Sequence, residues 1–203
     1  MNPVVLPNLR AASFHFTSPA VVDMVQHLEM PMLETFSIEY AFRQFQIGLP
    51  SSSPRLKILR AQLHYPPMNA GDLERALEML PDLTEISIDV PHIISNGDVF
   101  RLIPVHDQLP LAPKLKIVRL LNRCFRHNSC EWRTLAAMLQ ARFQATMPGV
   151  SRLHTFEFSV DDRANDHNLT TALRTLRAQH HWDIRVDREC RFPAWDELYL
   201  TSV

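Results

Sequence analysis

The chain has 203 residues, of which 46% are hydrophobic and 21% charged, so it is long enough to bury one continuous core. Its net charge of −1 gives no overall field that would attract nucleic acid or an acidic membrane, and neither is expected as a partner. The three cysteines are too few, and odd in number, for a disulfide framework, and no segment has the roughly 18 consecutive apolar residues of a membrane span. We therefore expect a cytoplasmic or nuclear protein.

One motif recurs from the N-terminus onward and predicts the strands. In the motif P-x-L-x-x-h-x-h, where h is apolar, the proline predicts a turn, and the alternation of apolar and polar residues is typical of a half-buried strand. The copies are Pro7/Leu9/Ala12/Phe14, Pro31/Leu33/Phe36/Ile38, Pro54/Leu56/Leu59/Ala61, Pro81/Leu83/Ile86/Ile88, Pro113/Leu115/Val118/Leu120 and, without the proline, Leu153/Phe156/Phe158. A seventh strand is predicted where Trp182, Ile184 and Val186 alternate with polar residues.

Apolar residues at helical spacing lie between these strands. They predict helices with the faces Val21/Met24/Val25/Leu28 after a Ser18-Pro19 cap, Leu73/Ala76/Leu77/Leu80, Val99/Leu102/Ile103, Trp132/Leu135/Ala136/Leu139/Phe143 and Leu169/Ala172/Leu173/Leu176. Residues 41–53 are predicted to form a short helix or turn followed by a loop. The alternation of strand and helix predicts an α/β fold.

The spacing of the motif predicts the architecture. The anchor leucines are separated by 24, 23, 27, 32 and 38 residues; the first three intervals fit a leucine-rich repeat, and the last two leave room for insertions. A single repeat cannot bury enough apolar surface to fold alone, so the units must stack. We predict a leucine-rich-repeat solenoid over residues 1–189, with six to seven divergent repeats, a curved parallel sheet on the concave side, and helices and loops outside. The tail, residues 190–203, could cap the end of the stack.

Six phrases of the sequence resemble the C-terminal half of fungal F-box proteins, in which divergent leucine-rich repeats follow an N-terminal F-box. The phrases are QHLEMPMLETFSI, SSSPRLKILRAQL, ALEMLPDLTEISI, APKLKIVRL, TLAAMLQARFQATMPGVSRLHTFEFSV and LRTLRAQHHWDIRV. The resemblance covers Leu6 to Val186 and implies that the repeats choose the substrate of a cullin-type ubiquitin ligase. No F-box precedes the first repeat here, so the chain is expected either to be a fragment or to be unable to recruit the ligase adaptor by itself.

The candidate binding residues lie between the apolar positions of the strands, on the face that the solenoid would present as concave. Two rows follow the repeats: Ser13, Ser37, Arg60, Ser87, Arg119 and Glu157, then His15, Glu39, Gln62, Asp89, Leu121 and Ser159. The predicted partner-binding set is Ser37, Glu39, Arg60, Gln62, Glu85, Ser87, Asp89, Arg119 and Glu157. The five charged residues Arg60, Glu85, Asp89, Arg119 and Glu157 are expected to dominate a protein contact. The alternative interpretation is that these are merely solvated strand residues.

Other chemistry is not favoured by the sequence. Cys124, His127 and Cys130 have a spacing that could contribute to a zinc site, but zinc usually needs four ligands, and the fourth candidate, His106, lies across a loop. There is neither a glycine-rich phosphate loop nor a G-x-S-x-G elbow. We expect no cofactor and no enzyme activity, although an enzyme on a repeat frame stays a remote alternative to a recognition module or a scaffold unconnected to ubiquitin.

Charge is unevenly distributed between two neighbouring repeats. A basic cluster lies between residues 114 and 133, and the repeat before it is acidic between residues 72 and 89. Mutual screening of the two is one interpretation, and a bipolar patch that orients a protein partner is the other.

Overall fold

The computed structural model describes residues 3–16, 24–25, 27–40, 53–63, 72–89, 96–104, 109–122, 132–160 and 167–187. Within these ranges the strands are β1 (Val4–Val5), β2 (Ala11–Phe16), β3 (Leu28–Glu29), β4 (Thr35–Tyr40), β5 (Ile58–Leu63), β6 (Glu85–Asp89), β7 (Ile117–Asn122), β8 (Thr155–Val160) and β9 (Asp183–Asp187). The helices are α1 (Asp72–Glu78), α2 (Asn96–Phe100), α3 (Trp132–Phe143) and α4 (His167–His180).

Seven of the strands form one parallel sheet whose strand order follows the chain order. The order is β2-β4-β5-β6-β7-β8-β9, and every neighbouring pair is parallel. The α/β prediction is therefore confirmed. A separate two-stranded parallel ladder joins β1 to β3.

The register of the sheet is the one that the recurring motif predicts. The first h positions of successive motifs are paired, as in Phe36 with Leu59, Leu59 with Ile86, and Ile86 with Val118. The series continues to Phe156 on β8. The lengthening intervals between motifs are thus absorbed outside the strands, and the side chains of each repeat stay aligned with those of the next.

The apolar face of this sheet is the wall of the core. Phe36, Leu59, Ile86, Val118 and Phe156 are at most 3% exposed, because alternate residues of a strand point to the same face and these share one row. The helices cover this face: α1, α2 and α3 contribute Leu73, Leu77, Val99, Leu135 and Met138 to a small apolar cavity of about 20 Å³ over β6 and β7, and Leu102 joins them from the turn after α2. The core is therefore continuous between the helices and the sheet.

The predicted helices are present as α1, α2, α3 and α4, but Leu80 lies beyond the end of α1, and Leu102 and Ile103 lie beyond the end of α2. Two further differences concern Leu28 and Trp132. Leu28 does not belong to a helix: it begins β3, where Val4 pairs with it and the Leu6 amide donates to the Glu29 carbonyl over 2.8 Å. Met30, which precedes Pro31, is pushed towards extended backbone, so the helix must end before it. In α3, Trp132 is 37% exposed instead of lying in the core.

The inward face of α3 contains a residue that the hydrophobic pattern did not predict, Arg142. Its side chain is 1% exposed, and Nη2 donates to the carbonyls of Ala112 and Leu115 at 3.2 and 2.9 Å. Burial lowers the pKa of Arg142 to about 10, so the group is still a cation at neutral pH. Arg142 thereby ties α3 to the turn that precedes β7, where Ala112 has a positive φ of 45°.

Several predictions fall on residues that the structure does not describe. These are the Ser18-Pro19 cap, most of the link 41–53, the Cys124/His127/Cys130 cluster and the tail 190–203. In the described residues, no helix has the length and apolar character needed to cross a membrane.

Candidate functional site

All nine predicted partner-binding residues lie on one face of the sheet, opposite the apolar core, which we call the polar face. Ser37 and Glu39 are on β4, Arg60 and Gln62 on β5, Glu85, Ser87 and Asp89 on β6, Arg119 on β7, and Glu157 on β8. They share this face because each is an odd number of positions from an apolar residue of its strand that lies in the core. Their common face is confirmed, and their role in binding stays a prediction.

The charged side chains of the polar face pair with one another across five strands. Arg60 lies 3.3 Å from Glu85, and Arg119 lies 2.6 Å from Glu85 and 2.8 Å from Glu157. Arg185 then contacts Glu157 at 2.9 Å. We call this alternating row, completed by Asp183, the charge ladder: Arg60, Glu85, Arg119, Glu157, Arg185 and Asp183.

The sheet register explains the order of the ladder. Glu157 is directly paired with Arg119 on one side and with Arg185 on the other, and neighbouring strands are only about 4.8 Å apart. Arg60 and Arg119 both pair with Ser87, so Glu85, two residues before Ser87, lies diagonally between the two guanidinium groups. One carboxylate therefore accepts from both arginines.

The centre of the polar face is shielded from solvent, whereas the alternative interpretation of the sequence was that these are merely solvated strand residues. Ser37, Gln62, Glu85, Ser87 and Asp89 are between 0 and 9% exposed. That interpretation is wrong for these five residues. The ladder members Arg119 and Glu157 have side chains only 19% and 16% exposed.

The two ends of the polar face are more open. At one end the side chain of His15, on β2, is 58% exposed and contacts Glu39 at 2.9 Å. At the other end, the side chains of Arg185 and Asp183 are 54% and 42% exposed. The ends of the polar face are therefore more accessible to solvent than its centre.

Asp183 and Arg185 were not among the predicted site residues. Arg185 donates to both carboxylate oxygens of Asp183, at 3.0 and 2.9 Å, and the Thr155 hydroxyl donates to Asp183 at 3.0 Å. The Arg185 hydrogen bonds, with the smaller contribution of Thr155, hold the pKa of Asp183 below its ordinary value. Extending the row of Arg119 and Glu157 to the seventh strand would have found Arg185 in the sequence, because it has the sign that a lateral pair requires.

The polar face presents guanidinium, carboxylate and hydroxyl groups at the fixed spacing of the sheet. Among the described residues no three histidines, cysteines or acids are grouped so as to hold a metal ion. Comparisons with protein-family models, curated proteins and solved structures find no match to the chain. The likeness to F-box proteins therefore stays a prediction from the sequence.

Proposed function

We propose that the chain is a protein–protein recognition module built as a leucine-rich-repeat solenoid. The observation that carries the proposal is the strand order: within the seven-stranded sheet, each strand pairs with the strand of that sheet that follows it along the chain, in the register of a recurring motif. A sheet that grows by one strand per repeat presents one continuous face of aligned side chains, and repeat proteins bind partners on such faces. The polar face is the proposed binding surface.

The open ends of the polar face are the favoured points of contact. A partner gains little from charges that already neutralise one another, as Arg119, Glu85 and Glu157 do at the centre. Arg185 has donors directed at Glu157 and Asp183, yet more than half of its side chain is exposed. A partner carboxylate could therefore add to this arginine without first breaking the buried part of the ladder.

We propose further that the recognised protein is a ubiquitin ligase substrate, because the sequence resembles the substrate-selecting repeats of fungal F-box proteins. A cullin-type ligase adaptor would be recruited only through an F-box upstream of the repeats. A repeat scaffold that has no connection to ubiquitin is the alternative, and it would use the same polar face.

Affinity capture from the cell of origin, followed by mass spectrometry, tests both levels of the proposal. The baits are the chain itself, the chain extended by any upstream exon, and two variants of equal charge change, Arg185→Glu on the polar face and Arg174→Glu on α4. Arg174 is exposed on a helix that packs on the other side of the sheet. We expect a partner that is lost with Arg185→Glu and kept with Arg174→Glu.

The outcomes separate the two levels. Recovery of a cullin and its adaptor with the extended bait alone supports the ligase assignment. Recovery of a partner without ligase components supports the scaffold instead. A partner that tolerates Arg185→Glu as well as it tolerates Arg174→Glu would show that the open end of the polar face is not the binding surface.

A further inference from the structure

A second surface lies along the edge of the sheet where the strands begin. The backbone ladder continues one residue beyond the strands: the amide of Lys57 donates to Glu34, that of Thr84 to Lys57, that of Lys116 to Thr84 and that of His154 to Lys116, all at 2.8–2.9 Å. These residues therefore stand side by side, one per strand. The sheet fixes their spacing as firmly as that of the strands themselves.

This edge concentrates positive charge that the composition of the whole chain conceals. Six cations occupy the positions on either side of the anchor leucines, and all six are exposed: Arg10, Arg55, Lys57, Lys114, Lys116 and Arg152. The only acids at the equivalent positions are Glu34 and Asp82. We call these six cations the amino-end band, which is strongly basic although the chain has a net charge of −1.

Only part of this charge is neutralised within the described residues. Lys57 pairs with Glu34 at 3.0 Å, and Lys114 pairs with Asp82 at 2.6 Å. The remaining four cations have no acidic partner at hydrogen-bond distance there; Arg55 donates to the Met32 sulfur and Arg152 to the Ala145 carbonyl.

The electrostatic effect of these cations is found in the pKa of Glu34. The hydrogen bond from Lys57 holds the pKa of Glu34 below its ordinary value, and the charges of Lys57, Arg10 and Arg55 lower it further. A carboxylate at this edge thus lies between cations of the two neighbouring strands, β2 and β5. The same environment would receive a carboxylate from another molecule.

The spacing of the band selects the form of such a molecule. Arg10, Lys57 and Lys116 lie on every second strand of the row, so they are roughly 10 Å apart. In an extended peptide, every third residue is also separated by roughly 10 Å. A peptide that crosses the strand ends with an acidic residue at every third position would match the three cations.

A nucleic acid fits this edge less well. Its phosphates carry one charge per roughly 3.4 Å of each strand, so a nucleic acid that follows the row cannot avoid Glu34 and Asp82. Apart from the His154 imidazole, the positions on either side of the anchor leucines include no aromatic ring on which a base could stack. An acidic protein segment can place neutral residues opposite the two acids, which a phosphate backbone cannot.

We infer that the amino-end band docks an extended acidic segment of a protein partner, which lies across the starts of the strands. The inference rests on the proposed function, since it adds a second contact for the same recognised protein. It also states the chemistry of the partner, which would carry an extended segment rich in acidic residues. An acidic segment would be attracted by the band before the partner reaches the open end of the polar face.

The experiment measures binding of a defined acidic peptide to the full chain. The probe is a fluorescein-labelled fifteen-residue peptide with glutamate at every third position and glycine and serine elsewhere, and its control has glutamine in place of glutamate. Fluorescence anisotropy at about 50 mM salt, where exposed charges are weakly screened, should show saturable binding of the glutamate peptide and none of the control. An oligothymidylate of fifteen nucleotides is the competing class of ligand.

Two double variants of equal charge change locate the site. Arg55→Glu with Lys116→Glu reverses two cations of the band, and Arg133→Glu with Arg174→Glu reverses two exposed arginines on α3 and α4. We expect the band variant to lose affinity about tenfold or more and the helix variant to change less than about twofold, because reversal replaces attraction by repulsion only at the site. Circular dichroism verifies that both variants are folded.

Three results would overturn the inference: the glutamate peptide does not bind, the two double variants bind it equally, or the oligothymidylate binds more tightly than the peptide. None of these results affects the capture experiment, in which a partner is lost with Arg185→Glu. A wrong assignment of the amino-end band can therefore be distinguished from a wrong assignment of the polar face.

Discussion

Replacing Arg119 with methionine should destabilise the fold more than replacing any exposed arginine, because Arg119 links both central carboxylates. It lies 2.6 Å from Glu85 and 2.8 Å from Glu157, whose side chains are 12% and 16% exposed. Breaking one partner out of a buried ion pair costs about 3–5 kcal/mol. Each carboxylate keeps a second arginine and some water, so we expect a loss of about 2–3 kcal/mol here.

Urea unfolding followed by circular dichroism measures this loss. With an m value of about 2 kcal/mol per molar urea, the midpoint should fall by about 1 M while the slope is unchanged. Arg185→Met is the matched control: this side chain is 54% exposed, and an exposed ion pair contributes about 0–1 kcal/mol. Equal losses in the two variants, or a loss below about 1 kcal/mol for Arg119→Met, would refute the argument that the centre of the ladder is shielded.

Three further predictions test the register, a helix end and the open end of the ladder. Ile86→Ala should cost about 2–5 kcal/mol in the same urea assay, because Ile86 is 3% exposed. The control Met79→Ala, at a side chain 55% exposed, should change stability by less than about 0.5 kcal/mol. A loss for Ile86→Ala no larger than that of the control would contradict the register. His181→Gly should raise the free energy of unfolding by about 0.5–1 kcal/mol, since His181 follows α4 with a φ of 54°, a conformation that glycine adopts without strain; lower stability would count against a cap at this position. Arg185→Gln should raise the pKa of Asp183 towards its ordinary value, measured by carboxyl-carbon NMR titration. In the parent chain, the stability that comes from the lowered pKa is present above the pKa of Asp183 in the unfolded state and is lost as the pH falls through its pKa in the folded state. An unchanged pKa in the variant would show that the Arg185 hydrogen bonds do not cause the shift.

The sheet could be predicted from the sequence because one pattern reports both its strands and its register. A strand in a sheet must alternate, and a slip of one residue would turn Phe36 or Phe156 out of the core. Each motif therefore carries its own register, and the long intervals around Pro91 and Asn122 do not disturb it. The same reasoning failed at Leu28, which has a helical spacing from Val21, Met24 and Val25 but pairs with Val4 in the two-stranded ladder.

The face on which the candidate site residues lie could be predicted from the sequence, but their burial and their ion pairs could not. Alternation assigns Arg60, Arg119 and Glu157 to the polar face, because that needs only the parity of each position. Burial depends on neighbouring strands and on side chains that reach across them, and single-strand patterns contain no information on either. Arg142 illustrates the same limit: it occupies a core position of α3 because two backbone carbonyls accept from it, and a hydrophobic pattern does not register such acceptors.

Under the proposed function, the charge ladder and the amino-end band divide two tasks that a recognition module must combine. In the ladder, opposite charges alternate between strands and neutralise one another, which leaves little charge for a partner. In the band, cations precede four of the strands with too few acids to neutralise them, so the same sheet spacing produces a field directed outwards. A partner should therefore depend on Lys116 and Arg55 for the rate at which it associates, and on the exposed Arg185 for the contacts it keeps. Measured association rates should consequently fall with salt in the parent chain and lose most of that salt dependence when the band is reversed.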